Sequence, residues 1–145
     1  MHATILAIDP GETTGMMLLR EGVCFPVTVF KDEGLCRYLD VLESLTPSMI
    51  VIEKFHLSPS KAKDLAWNTF HTCEVIGIVK LYAEKTHTLI TLQTPSNKAF
   101  AKIDDMCPLK CSRHEKDAYL HLWYFLRNND AGRKVYEQIK KEALR

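Results

Sequence analysis

Apolar residues recur along the chain with two different periods, and the changes of period divide it into elements. Residues 3–9 form an apolar run that ends on Asp9 and is closed by Pro10-Gly11. Residues 14–20 and 22–30 are two further strand-like runs, joined at the charged turn Arg20-Glu21-Gly22. Three short runs linked by tight turns predict an antiparallel meander. Pro26 places its third strand at the sheet edge, because proline cannot donate a ladder hydrogen bond. Asp32 then caps a helix in which Leu35, Leu39 and Leu42 recur at helical spacing, ending near Thr46-Pro47. Residues 49–52 read as a short buried strand that closes on Glu53.

After a Ser/Pro loop at 57–60 the period becomes helical. A long helix is predicted over about 61–85, with Leu65, Ala66, Cys73, Ile76, Val79 and Ala83 on its apolar side, and its length suits a central packing or dimer element. Residues 88–92 are a β-branched strand, 95–101 a short helix start, 103–111 an irregular loop and 112–127 a helix. The order β, β, β, α, β, α, β, α implies an α/β fold: a mixed five-stranded sheet, three strands in an antiparallel meander plus two more, flanked by helices. One domain is expected over 1–145, with a core at 1–127 and a polar, helical C-terminal tail at 128–145.

Composition narrows the picture. A hydrophobic content of 46% in 145 residues is enough for one continuous core. No apolar run reaches the roughly 18 residues of a membrane span, and residues 3–8 are too few for a signal segment, so a soluble, cytoplasmic protein is expected. Five cysteines, an odd number scattered through core-forming segments, read mostly as small buried hydrophobes and not as a disulfide framework. The net charge of +1 conceals an asymmetry. Residues 1–60 carry four Lys/Arg against eight Asp/Glu, whereas residues 61–145 carry fifteen against ten, which leaves a basic excess for a phosphate-binding surface in the second part.

The acids carry the chemistry. Asp9 ends a buried strand; alone it fits a turn aspartate equally well, since Asp-Pro-Gly is good turn chemistry. Glu53 repeats the arrangement with no Gly or Pro behind it. His114 and Asp117, three apart, share a helix face, and Ala118, Leu122 and Phe125 make that region apolar, so Asp117 needs either a salt bridge or a bound cation. If the first and fourth strands are neighbours, Asp9 and Glu53 emerge side by side and the helix adds the other two. Clustered anionic oxygens repel unless divalent ions intervene, and oxygen ligands favour Mg²⁺ or Mn²⁺. Two such ions about 4 Å apart clamp a scissile phosphate in phosphodiester hydrolysis.

The motifs AIDPGETTG at the first strand end, VIEKF at the fourth and HEKDAYLHLWYFL in the helix occur in an order that resembles the RuvC-type Holliday junction resolvases of the RNase H-like superfamily. The likeness spans residue 3 to about residue 127. It implies a metal-dependent endonuclease of DNA recombination and repair, a homodimer that binds four-way junctions and other branched DNA and makes paired nicks with ligatable ends. Carried over, Asp9, Glu53 and Asp117 are metal-binding catalytic acids. His114 stands where the family has His or Asp, and ligates metal or positions the attacking water. Phe55, after the second acid, corresponds to a junction-wedging aromatic, and Lys98 and Lys102 to basic residues near the scissile phosphate. The chain is shorter and less basic than the bacterial resolvases, which points to a phage-encoded member.

Other readings compete. Cys107, Cys111 and His114, with His121, have spacing within range of a zinc site but lack the usual second pair. An actin-like phosphate site at Thr13-Thr14-Gly15 would need a second domain. The RuvX-like branch, acting on RNA, or an RNase H acting on RNA–DNA hybrid, has a similar acidic set, and a non-catalytic junction-binding protein would not need Asp117. His121, four residues after Asp117, could support the acids from behind but reads first as a satisfied helix histidine, and Tyr119, Trp123, Tyr124 and Phe125 read as core and dimer packing.

Overall fold

Strict alternation along the first strand decides which face of the sheet carries the chemistry. The computed structural model describes residues 3–55 and 67–145, with side chains from residue 70 onward in the second stretch. In β1 (Ile5–Asp9), Leu6 and Ile8 join one hydrophobic cluster and Ile5 and Ala7 the other, so Asp9 faces the same side as Ile5 and Ala7. β2 (Thr13–Arg20) and β3 (Val23–Phe30) complete the antiparallel meander, and β4 (Met49–Glu53) and β5 (Leu89–Gln93) run parallel to β1. The order is β3-β2-β1-β4-β5, which leaves Pro26 on the edge strand as expected. Because β1 and β4 are parallel neighbours in register, Ile8 beside Ile52, Asp9 and Glu53 stand side by side at the C-terminal ends of these two interior strands.

Helices α1 (Leu35–Leu45) and α2 (Trp67–Thr86) cover one face; α3 (Arg113–Asn128) and α4 (Asp130–Ala143) cover the other. The expected loop at 57–60 and the beginning of the expected long helix, including Leu65 and Ala66, lie outside the described residues. A 3-10 segment (Pro95–Phe100) follows β5. Residues 128–145 are no detached tail: Val135, Tyr136 and Ile139 of α4 pack onto the second cluster. No helix among the described residues is long and apolar enough to cross a membrane.

Two packing expectations are corrected. The buried stripe of α1 is Tyr38, Val41 and Leu42, while Leu35 and Leu39 are exposed. Tyr38 can be fully buried because its hydroxyl meets His71 Nε2 of α2 at 2.9 Å, which removes the cost of an unpaired polar atom. Of the cysteines only Cys24 and Cys107 are buried; Cys36 and Cys73 lie exposed on α1 and α2, so most are not core hydrophobes, and all five are free thiols.

Two glycines allow helix α3 its position. A Cβ at Gly15 would lie 2.2 Å from the backbone carbon and oxygen of His114, and one at Gly132 would lie 2.2 Å from the Phe125 oxygen. Gly15 pairs with Asp9 in the β1–β2 ladder, so the first turn of α3 rests on the sheet directly beside Asp9. Helix backbone cannot flex away as a side-chain tip can. Gly15→Ala is therefore expected to lower folding stability by about 1–3 kcal/mol and to displace the start of α3. Thermal unfolding, together with loss of metal binding by the folded fraction, checks this.

Candidate metal centre

The first turn of α3 is held to the sheet by more than contact. Ser112 Oγ accepts from the Glu115 backbone N–H at 3.2 Å, and the Glu115 carboxylate accepts from the Ser112 N–H at 2.7 Å, a reciprocal cap. The second Glu115 oxygen accepts from Thr28 Oγ1 at 2.6 Å, which ties the helix start to β3. On the strand side, the turn after Asp9 is closed by Thr14, whose hydroxyl donates to the Gly11 carbonyl at 3.0 Å and accepts from the Gly11 N–H at 3.3 Å. Both approaches to the site are thus fixed by local hydrogen bonds.

Between them, ligand atoms of Asp9, His114 and Asp117 lie within 4.8 Å of one another, the one group among the described residues with metal-binding geometry. His114 Nδ1 is 3.6 Å from Asp9 Oδ2. Two carboxylate oxygens and an imidazole nitrogen, in an open cleft of about 470 Å³ that Phe55, Thr72 and Arg113 also line, suit a hard or borderline divalent ion.

Glu53 stands apart. Its Oε2 lies 2.6 Å from His121 Nε2 and 3.1 Å from Lys98 Nζ, so it is already engaged by nitrogen donors. His121 is fully buried, and its other ring nitrogen lies 2.7 Å from Gln93 Oε1, while Gln93 Nε2 donates to the His121 carbonyl at 3.3 Å. A satisfied histidine describes His121 incompletely: it orients Glu53. Gln93, at the end of β5, has no counterpart in the sequence reading; its parallel register with Glu53 is the signal that would have found it.

The electrostatics of the two strand-end acids diverge. Burial pushes the Asp9 carboxyl up to about 7; the charges of Glu53 and Asp117 and a hydrogen bond to Glu53 act in the same direction, and Lys98 opposes them. Burial also acts to raise Glu53, but hydrogen bonds and charge from His121 and Lys98 together outweigh it and hold that carboxyl below its usual range. The opposite environments are visible in exposure too. Asp9 is 8% exposed, whereas the Asp117 side chain is 29% exposed at the rim of its helix. Asp117 is thus less buried than its apolar neighbours suggest and lies 3.8 Å from the Lys98 ammonium, and the deeply buried acid is Asp9.

Lys98 is no ordinary surface lysine, since it also lies 3.8 Å from Asp117 Oδ2; Lys102 is exposed. Phe55 is exposed at the cleft wall. The zinc grouping is not assembled. His114 turns toward Asp9 and His121 toward Glu53, and the one group with metal-binding geometry among the described residues contains neither cysteine. The aromatic segment divides: Tyr119 and Phe125 are buried in the core, and Trp123 lies under Arg127, 4.0 Å from guanidinium to ring centre.

A mixed five-stranded sheet in this order, helices on both faces and acids at the shared ends of β1 and β4, is the RNase H-like fold. In shape the chain is similar to T. thermophilus RuvC in complex with a Holliday junction substrate, with 15% identity, a TM-score of 0.64, and 88% of this chain and 97% of that one covered. A second Thermus thermophilus RuvC structure gives 16% identity, a TM-score of 0.52, and 86% and 95% coverage. The fold is therefore the RuvC-like form of the RNase H architecture. No protein-family model matches the chain, and no curated protein is similar to it in sequence.

The raised Asp9 carboxyl has a measurable consequence without metal. Between its ordinary value of 3.8 and about 7 the folded protein keeps a proton that the unfolded chain has released, so stability falls as pH rises through that window. Glu53 acts in the opposite sense and only at more acidic pH. In a chelator, melting temperature should decline from about pH 5 to pH 7 in the wild type. It should not decline in Asp9→Asn, and Mg²⁺ or Mn²⁺ should restore only the wild type.

Proposed function

We propose that the protein is a divalent-metal-dependent endonuclease that resolves four-way DNA junctions, and cuts other branched DNA, by paired nicks. The observation that carries this reading is the convergence of Asp9, His114 and Asp117 at the mouth of an open cleft, on a fold shared with a RuvC solved on a Holliday junction. When bound, Mg²⁺ or Mn²⁺, two ions in the full site, would supply Lewis-acid activation of the phosphodiester and charge stabilisation of the leaving oxygen. Asp9, Asp117 and His114 would hold the first ion, and Glu53 would complete the set.

The remaining residues have roles in positioning. His121 and Gln93 fix the rotamer of Glu53 from behind, in a pocket without solvent access. His114, 44% exposed in its side chain, faces both Asp9 and the cleft and is placed to orient the attacking water. Phe55 lies on the cleft wall, where an aromatic ring can stack on or part the bases of a distorted junction. Lys98 and Lys102 supply positive charge for phosphates on the β5 side. Each chain brings one set of acids, so two coordinated nicks require two copies, and the protein acts as a homodimer in this reading.

A panel of labelled four-way junction, fork, duplex DNA and RNA–DNA hybrid, each with Mg²⁺ or Mn²⁺, tests the proposal. Symmetric nicks in the junction are expected. Preferential cutting of the hybrid would select an RNase H-type activity, and binding without cutting would select a non-catalytic junction protein. Asp117→Asn should reduce cleavage about a hundredfold or more while junction affinity changes little, because it removes a metal ligand and leaves the basic residues in place. Full activity in that variant would overturn the assignment.

A further inference from the structure

The Glu53 edge of the site already holds a cation. Lys98 projects from the 3-10 segment after β5, and its Nζ sits 3.1 Å from Glu53 Oε2 and 3.8 Å from Asp117 Oδ2, between the two acids. That same Glu53 oxygen receives His121 Nε2 at 2.6 Å, so this oxygen already has two nitrogen partners. The group with metal-binding geometry is correspondingly Asp9, His114 and Asp117, and Glu53 is outside it. Charge points the same way. One ammonium and one divalent ion balance the three carboxylates, whereas a second divalent ion beside Lys98 would leave two positive charges uncompensated.

We propose that Lys98 is the resident cation at the Glu53 edge, so that the protein alone holds one divalent ion and admits a second only when an anion draws the Lys98 ammonium away. A phosphodiester group in the cleft is such an anion. It offers oxygens to the ammonium and brings the negative charge that a second ion requires. Lys98 has the means to move: its side chain is 24% exposed and carried on a flexible four-carbon stem. Metal occupancy and nucleic-acid occupancy are thereby coupled, and each must favour the other. This rests on the metal-centre reading given above and adds to it the order in which the site fills.

Mn²⁺ uptake by the full chain, counted by calorimetry and electron paramagnetic resonance without DNA, tests the latch independently of cleavage. The wild type and Lys98→Arg should bind one ion. Lys98→Gln should bind a second about tenfold or more tightly than the wild type does, the scale of removing one unit charge at contact distance. Adding Glu53→Gln to Lys98→Gln should abolish that second site, and a cleavage-resistant junction should raise the wild-type count to two. If Lys98→Gln does not fold, Lys98→Met carries the same expectation. A second site no tighter in the neutral variants than in the wild type overturns the latch but leaves the metal centre standing. No Mn²⁺ uptake, or uptake unaffected by Asp9→Asn, overturns both.

Discussion

The approach of helix α3 to the sheet at Gly15 is the constraint on which the remaining arrangement depends. At that point helix backbone and strand backbone are closer than any side chain permits. Because Gly15 lies opposite Asp9 in the ladder, the contact that sets the depth of α3 also sets the distance from Asp9 to His114. The Ser112–Glu115 cap and the Thr28 bond hold the first turn there, and Ala118, Tyr119, Leu122 and Phe125 hold the rest of the helix by burial. The metal-binding geometry is therefore a by-product of core packing, with little freedom of its own.

Such rigidity carries an electrostatic cost, and the site distributes it unevenly. Glu53 is compensated from within by His121 and Lys98, while Asp9 is buried beside like charges with weaker compensation. An acid in the position of Asp9 is destabilising as an anion and is relieved by protonation or by a divalent ion. Folding stability is thus reduced by the charged state of one carboxylate, a tension common at functional sites.

Much of this was legible in the sequence, and the reasons are specific. Period-two alternation, ending on an acid in both β1 and β4, places the two carboxylates side by side once the strands are parallel neighbours, and the His114 to Asp117 spacing puts both on one helix face. What the sequence concealed was burial at the level of single atoms. Asp117 looked buried because its neighbours are apolar, yet it sits at the rim, and the deeply buried acid is Asp9, the one most easily taken for a turn residue. Lys98 and His121 are forty-five and sixty-eight positions from Glu53, so nothing local marks them as its partners. The helix start at residue 112 was legible from the apolar period, and the structure adds the Ser112–Glu115 cap that fixes it; Leu35 and Leu39 misled because helical spacing alone cannot say which of two adjacent stripes is buried.

The division between fixed and movable parts then follows from where each side chain is rooted. Asp9, Glu53 and Gln93 stand at strand ends within a paired sheet, and His114, Asp117 and His121 on a helix locked by Gly15 and the core. Among the described residues, Lys98 alone reaches the acids from a short 3-10 segment, through a long flexible side chain. In the proposed reading the ligand cage is fixed by the sheet and helix, and the adjustable charge lies in Lys98, whose long side chain is the component least tied to the packing. On that reading, occupancy of the cage would respond to what enters the cleft while the packing beneath stays unchanged.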